Sequence, residues 1–127
     1  MAGAAMWAED RASQALGMSL DEVGDGRAKL SLTVGPDMTN GHGIAHGGFI
    51  FTLADSAFAF ACNSSGQRAV ASQCNITFLA PARLGDRLTA EAREIFREGR
   101  SGITDVTVTN AGGRVIAHFR GHSRTIN

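Results

Sequence analysis

Cysteine and proline occur twice each in this 127-residue chain, tryptophan once, and tyrosine not at all. Cys62 and Cys74 are too few and too widely spaced for a structural zinc site, and in a reducing compartment they are expected to be two buried thiols rather than a disulfide. Neither sign of charge prevails, because twelve Lys and Arg balance twelve Asp and Glu. These charges are scattered, so no basic stripe marks a nucleic-acid partner. The start, MAGAAMWAEDRASQAL, has no cationic flank ahead of an apolar core and carries Glu9 and Asp10. That pattern argues against a signal or transit peptide, and the expectation is a cytoplasmic protein without a membrane partner. Repeats, linkers and low-complexity blocks are missing as well. The length leaves no room for a second domain, so residues 1–127 are expected to form one domain, its 43% hydrophobic content sufficient for a real core.

What is present alternates or clusters in readable ways. Residues 2–16 are alanine-rich and closed by Gly17, which predicts an N-terminal helix. In 28–34, Ala28, Leu30, Leu32 and Val34 alternate with Lys29, Ser31 and Thr33, the period of a strand with one buried face. Gly35-Pro36 ends it, and a glycine-rich loop runs to His46. Residues 47–63 have helical length and apolar residues on nearly every face, which requires burial on most sides. After a turn at 64–67, residues 69–79 read as a strand that Pro81 stops. Segments 102–110 and 114–125 alternate on either side of a turn and predict a hairpin. Residues 87–98, RLTAEAREIFRE, favour helix by propensity, yet Leu88, Ala90, Ala92, Glu94 and Phe96 alternate between strand-like neighbours; a strand is expected. The order is that of an α+β fold, with one helix enclosed by a curved antiparallel sheet.

Within NGHGIAHGGFIFTLADSAFAFACNS, residues 40–64, a single carboxylate stands on the apolar helix: Asp55. An ionised Asp there costs several kcal/mol unless compensated. The simplest compensation is a hydrogen bond to Thr52, Ser56 or nearby backbone. Gly47 and Gly48 at the helix start offer another role, since free N–H groups and the helix dipole favour negative charge and glycine admits a ligand close to the backbone. One end of the helix can then stabilise an oxyanion while its middle supplies a base or nucleophile. Eight residues separate Asp55 from Gly47, about 12 Å along the axis, too far for one reacting carbonyl. Two chains packed with these helices antiparallel would bring the acid of one to the glycines of the other, so a homodimer with shared sites is expected.

The segments NGHGIAHGG, LADSAFAFACNS and AVASQCNITFLAPARLGDRL resemble the hotdog-fold acyl-CoA thioesterases, and within them the phenylacetic-acid-degradation branch. The resemblance extends loosely from about Gly17 onward. It implies an antiparallel sheet wrapped around the central helix, dimers that associate into a homotetramer, and hydrolysis of an acyl-CoA thioester without metal or other cofactor. It also implies residue roles. Asp55 matches the catalytic acid supplied across the dimer interface, and Gly47 the N–H donor to the thioester carbonyl, with Gly48 beside it at the substrate. His46 matches the histidine that shapes the turn, and Asn40 a polar residue near the attacking water or thioester. Ser72 matches a hydroxyl near the acid. Coenzyme A contacts fall in the loop with Pro81, Arg83 and Leu84, and in the turn with Arg97, Gly99, Arg100, Ser101 and Gly102.

Plainer readings stand beside these. His46 could simply cap the helix. His42 and His46 have metal-like spacing, but no third ligand is evident, and no metal is expected. GHGIAH lacks the third glycine of a dinucleotide fingerprint and no βαβ unit surrounds it. Arg97 and Arg100 could be solvated turn charges or phosphate ligands. The expected activity is hydrolysis of phenylacetyl-CoA or ring-hydroxylated phenylacetyl-CoA-type thioesters, with Asp55 as base or nucleophile. Alternatives on the same scaffold are a non-hydrolytic acyl-CoA-binding or sensing protein, and an enoyl-thioester hydratase, which the HGG…LAD arrangement disfavours.

Overall fold

The computed structural model describes residues 2–126. Two short helices open the chain, α1 (Ala2–Glu9) and α2 (Arg11–Ala15). The single N-terminal helix expected from the sequence is therefore interrupted. Asp10 leaves helical geometry at φ −84° and ψ 80°, and its carboxylate accepts from Ser13 N at 3.0 Å, so an internal N-cap restarts the helix. Gly17, at φ 77°, closes α2 as expected.

The strands are β1 (Ser19–Gly24), β2 (Arg27–Thr33), β3 (Ala69–Phe78), β4 (Arg87–Glu98), β5 (Ser101–Thr109) and β6 (Val115–Thr125). They form one antiparallel sheet in the order β1-β2-β4-β5-β6-β3. β1 was not anticipated, because a bulge between Leu20 and Glu22 breaks its alternation. Asp25-Gly26, both at positive φ, makes the tight turn into β2 and was the signal for this hairpin. β4 is a strand despite its helical propensity: Leu88, Ala90 and Ala92 are buried, and the ladders of β2 and β5 satisfy its backbone on both sides. A bulge between Glu94 and Phe96 shifts the register of β4 against β5, leaving Phe96 exposed and Arg97 half-buried.

The helix α3 (Gly47–Cys62) lies in the concave face and packs chiefly on β2, β4 and β5. Leu53, Ala54, Ala57, Phe58 and Ala61 enter a core with Leu30, Leu32, Leu88, Val106, Val108, Ile116 and Phe119. Phe119 holds Phe51 and Phe58 at ring distances of 5.4 and 5.7 Å. Gly121 makes this possible, since a Cβ there would stand 2.8 Å from the Phe58 ring. The N-terminal helices cover another face of α3. Trp7 packs on Phe60 at 6.0 Å, and the Ser56 hydroxyl meets Ser13 Oγ at 2.8 Å, which in turn donates to Asp10 at 2.7 Å.

One stripe of α3 stays uncovered. Gly48 is exposed, and Thr52, Asp55, Ala59 and Asn63 are half-buried at helical spacing. Beside it runs β3, the sheet edge, most of it exposed, with Val70 at 48% and Phe78 at 50%.

Candidate active site

The glycine end of α3 is built by its own loop. His46 is the N-cap, in extended geometry, and its Nδ1 accepts from Gly48 N–H at 3.0 Å. The imidazole thus spends one lone pair on the helix start, which gives it the capping role. Asn40 Oδ1 accepts from His42 N–H at 2.9 Å and Ile44 N–H at 3.4 Å, folding the loop that leads to His46. The loop is clamped to the 81–84 segment by Ala45 N–H on Ala82 O at 2.7 Å and a bridge between Ile44 and Arg83. Pro81, Arg83 and Leu84 are exposed at this end. With Gly48 N–H committed to His46 and Phe49 N–H to His46 O, Gly47 N–H is the donor left without an acceptor among the described residues. The ring of Phe78 rests against Gly47, its Cζ 2.9 Å from where a Cβ would be. The sequence assigned Phe78 no role beyond its strand; a glycine at the helix start facing a strand-end aromatic is visible only once β3 is placed beside α3.

Asp55 has none of the simple compensations. Thr52 Oγ1 donates to Gly48 O at 2.8 Å, and Ser56 belongs to the Ser13 bridge, so neither serves the carboxylate. Among the described residues nothing hydrogen-bonds to the Asp55 carboxylate. It is half-buried, and burial without a counter-charge pushes its carboxyl above the usual range. Burial raises the Cys74 thiol on β3, and the Asp55 charge adds to that rise. Cys74 is half-buried rather than buried, while Cys62 is buried and its thiol is pushed up to about 11, first by burial and then by the Glu94 charge. Ser72 is the unpaired residue of a bulge in β3, exposed, donating to His122 O at 3.1 Å.

The structure separates the two segments expected to hold coenzyme A. The 81–84 loop is at the Gly47 end; residues 97–102 are at the far end of α3. There Arg97 is engaged within the chain rather than solvated. Its guanidinium grips Glu94 at 3.1 and 3.0 Å and also donates to Gln67 Oε1 at 3.0 Å, Thr125 Oγ1 at 3.2 Å and Cys62 O at 3.2 Å. A cation on the last carbonyls of a helix is favourable for the dipole as well as the hydrogen bond. Gly99, at φ 60°, turns the chain, Arg100 and Ser101 are exposed, and Gly102 is buried against Ser123 and Glu94. Asn63 completes this end, donating to Ala59 O at 2.8 Å and Ala69 O at 3.2 Å and accepting from Ala69 N–H at 2.8 Å. No three His, Cys, Asp or Glu side chains among the described residues converge as metal ligands, and no helix there is long and apolar enough to cross a membrane.

A helix wrapped by an antiparallel sheet, with a glycine-rich helix start and one acid in mid-helix, is the hotdog arrangement, and the chain belongs to the thioesterase superfamily, whose family model matches residues 42–117. The acyl-coenzyme A thioesterase PaaI of Escherichia coli is 43% identical over 122 residues, spanning 96% of this chain and 87% of that protein. The structure of E. coli PaaI, from the phenylacetic acid degradation operon, superposes with a TM-score of 0.97 at 42% identity, covering 99% of this chain and 91% of the other. Human acyl-coenzyme A thioesterase 13 is 33% identical over 107 residues, 81% of this chain and 76% of its own length. The smu.793 protein of Streptococcus mutans, solved bound to acetyl CoA, matches with a TM-score of 0.84 at 29% identity, over 87% of this chain and 89% of the other.

Proposed function

We propose that the protein hydrolyses acyl-CoA thioesters, with phenylacetyl-CoA and ring-hydroxylated phenylacetyl-CoA as its preferred substrates. The observation that carries the reading is Asp55: a carboxylate without a hydrogen-bond partner among the described residues, on the uncovered stripe of α3, its proton affinity raised by burial. A base whose pKa moves toward neutrality is better matched to removing a proton from water. Gly47 N–H, at the positive end of the helix, donates to the thioester oxygen as charge develops there. Asp55 takes a proton from the attacking water, or attacks the carbonyl directly, and the coenzyme A thiolate leaves. Water is the only other reactant, so the reaction needs no cofactor.

The two groups must come from different chains, because about 12 Å of helix separates them. Gly48, Thr52, Asp55 and Ala59 present a stripe of short side chains along which a partner helix can lie antiparallel, next to an edge strand with unpaired backbone. In such a homodimer the 97–102 turn of one subunit, at the far end of α3, approaches the 81–84 loop of the other. Arg100, Ser101 and Arg83 would then serve one coenzyme A together. The family resemblance supports a homotetramer of two such dimers as the assembled form. The aryl preference is supported by the operon context named for the E. coli relative, and by the phenylalanines of α3, of which Phe49 and Phe51 remain half-buried.

The test is thiol release from aryl, short-chain and long-chain acyl-CoAs by the wild type and Asp55→Asn. The variant should fold and lose a factor of about a hundred or more in kcat, the scale of a lost general base. Binding without release in the wild type would make this an acyl-CoA-binding protein, and full turnover by folded Asp55→Asn would remove the acid from the mechanism.

A further inference from the structure

Phe78 ends β3 with half its surface exposed, an unusual state for a phenylalanine whose ring tip is packed against a helix. The atoms nearest to a Cβ built on Gly47 are Phe78 Cζ at 2.9 Å, Cε1 at 3.3 Å and Cε2 at 3.5 Å, so the ring points its far edge at the Gly47 Cα. Gly47 N–H springs from the same Cα and lacks an acceptor among the described residues. The Phe78 ring and the unused Gly47 N–H therefore flank the same end of α3, the end at which an acceptor for that N–H would be bound. Leu79 and Leu84, each 57% exposed, extend the apolar surface at this end of the helix. None of these three side chains has an apolar neighbour that covers it fully, although each is large enough to be buried by preference.

We propose that Phe78 determines the acyl specificity: its ring is the wall against which the acyl group lies once the thioester oxygen is bound to Gly47 N–H. This rests on the reading of the site as a thioesterase centre, and it names the residue that reads the acyl group. An aromatic acyl group gains an edge-to-face or offset contact with the ring that an aliphatic chain does not, which amounts to a factor of about three to ten in relative rate. The same contact couples position 47 to the ring: a methyl group there would displace the tip of Phe78.

The experiment compares phenylacetyl-CoA with butyryl-CoA in the wild type, Phe78→Leu, Phe78→Ala, Gly47→Ala and the Gly47→Ala/Phe78→Ala double variant, with assembly checked by sedimentation. Both Phe78 variants should lower the phenylacetyl-to-butyryl ratio of kcat/KM about three- to tenfold, chiefly through KM for the aryl substrate. Gly47→Ala should slow both substrates, and removing the ring should restore a large part of that loss for butyryl-CoA. An unchanged ratio in Phe78→Leu and Phe78→Ala overturns the proposal. So does an equal penalty for Gly47→Ala with and without the ring. If the wild type releases no thiol from any acyl-CoA, it is the thioesterase reading that fails. Calorimetric binding of phenethyl and butyl thioethers of coenzyme A then decides the role of Phe78, which falls if Phe78→Leu keeps the wild-type preference.

Discussion

Replacing Arg97 by alanine should destabilise the protein strongly, and the size of the effect follows from what the guanidinium holds. It neutralises Glu94, whose side chain is only 14% exposed, and supplies hydrogen bonds to Cys62 O, Thr125 Oγ1 and Gln67 Oε1. Removing one member of a buried ion pair costs about 3–5 kcal/mol, because the other charge is left without compensation. Arg97 itself is 27% exposed, so water recovers part of this, and about 2–4 kcal/mol is expected. With an unfolding entropy of about 2.1 cal/mol/K per residue over 127 residues, that is a fall in Tm of about 7–15 °C. Thermal unfolding followed by circular dichroism at fixed protein concentration measures it. Arg97→Lys should recover less than half, since an ammonium cannot reproduce the fork that grips both Glu94 oxygens. Arg100→Ala, three residues on and exposed, should melt close to the wild type. If Arg97→Ala keeps the wild-type Tm while KM for every acyl-CoA rises together, Arg97 is a phosphate ligand and its place as the clamp on the helix end is refuted.

Asp55→Asn should stabilise the fold near neutral pH. A carboxyl whose folded pKa is raised loses stability as pH climbs from the usual value near 4 through the folded one, so the gain should be present at pH 7 and vanish toward pH 4; parallel urea midpoints across this range would contradict it. Mixing Asp55→Asn with Gly47→Pro protein should restore part of the activity in hybrid dimers that hold one intact site, and proven subunit exchange without recovery would rule out the shared site. Gly121→Ala should cost about 1–3 kcal/mol by driving a methyl into the Phe58 ring, and Phe58→Leu should absorb most of that cost in the double variant; an unaffected single variant would show that the ring has room to move.

The central helix and most strands were legible because their signals were local. Apolar periodicity of two marked β2 and the β5–β6 hairpin, and an apolar run of helical length marked α3. Where a long-range partner decided the outcome, the signal was weaker. β4 carries helix-forming residues and became a strand through β2 and β5 on its flanks, and the β1 bulge hid an edge strand that the Asp25-Gly26 turn announced. The N-terminal helix looked continuous because Asp10 is ordinary in a helix; its capping of Ser13 shows only in three dimensions. At the site, Asp55 and Gly47 stood out as one acid and one glycine pair in an apolar setting. The Arg97 clamp was not legible for the opposite reason. In sequence it sits in a turn rich in glycine and charge, and nothing there shows that the β4 bulge turns it toward Cys62 and Glu94.

The position of β3 in the sheet ties the assembly of the site to the order in which the chain can fold. β3 follows α3 directly in sequence, yet its only neighbour in the sheet is β6, the last strand, with Ala69 opposite Thr125 and Phe78 opposite Ala117. The local hairpins β1–β2 and β4–β5 can close early, while β3 must wait for a strand far along the chain, and such distant pairings are slow. Until β6 docks, Ser72 and Phe78 have no fixed position and the Asp55 face of α3 lacks its neighbouring strand. Shortening the chain within β6 should therefore unhook β3 even where the rest of the sheet survives. Because the waiting species exposes both an unpaired strand and an apolar helix face, it is also the stage most prone to aggregation, and a holding chaperone would raise the yield of folded protein.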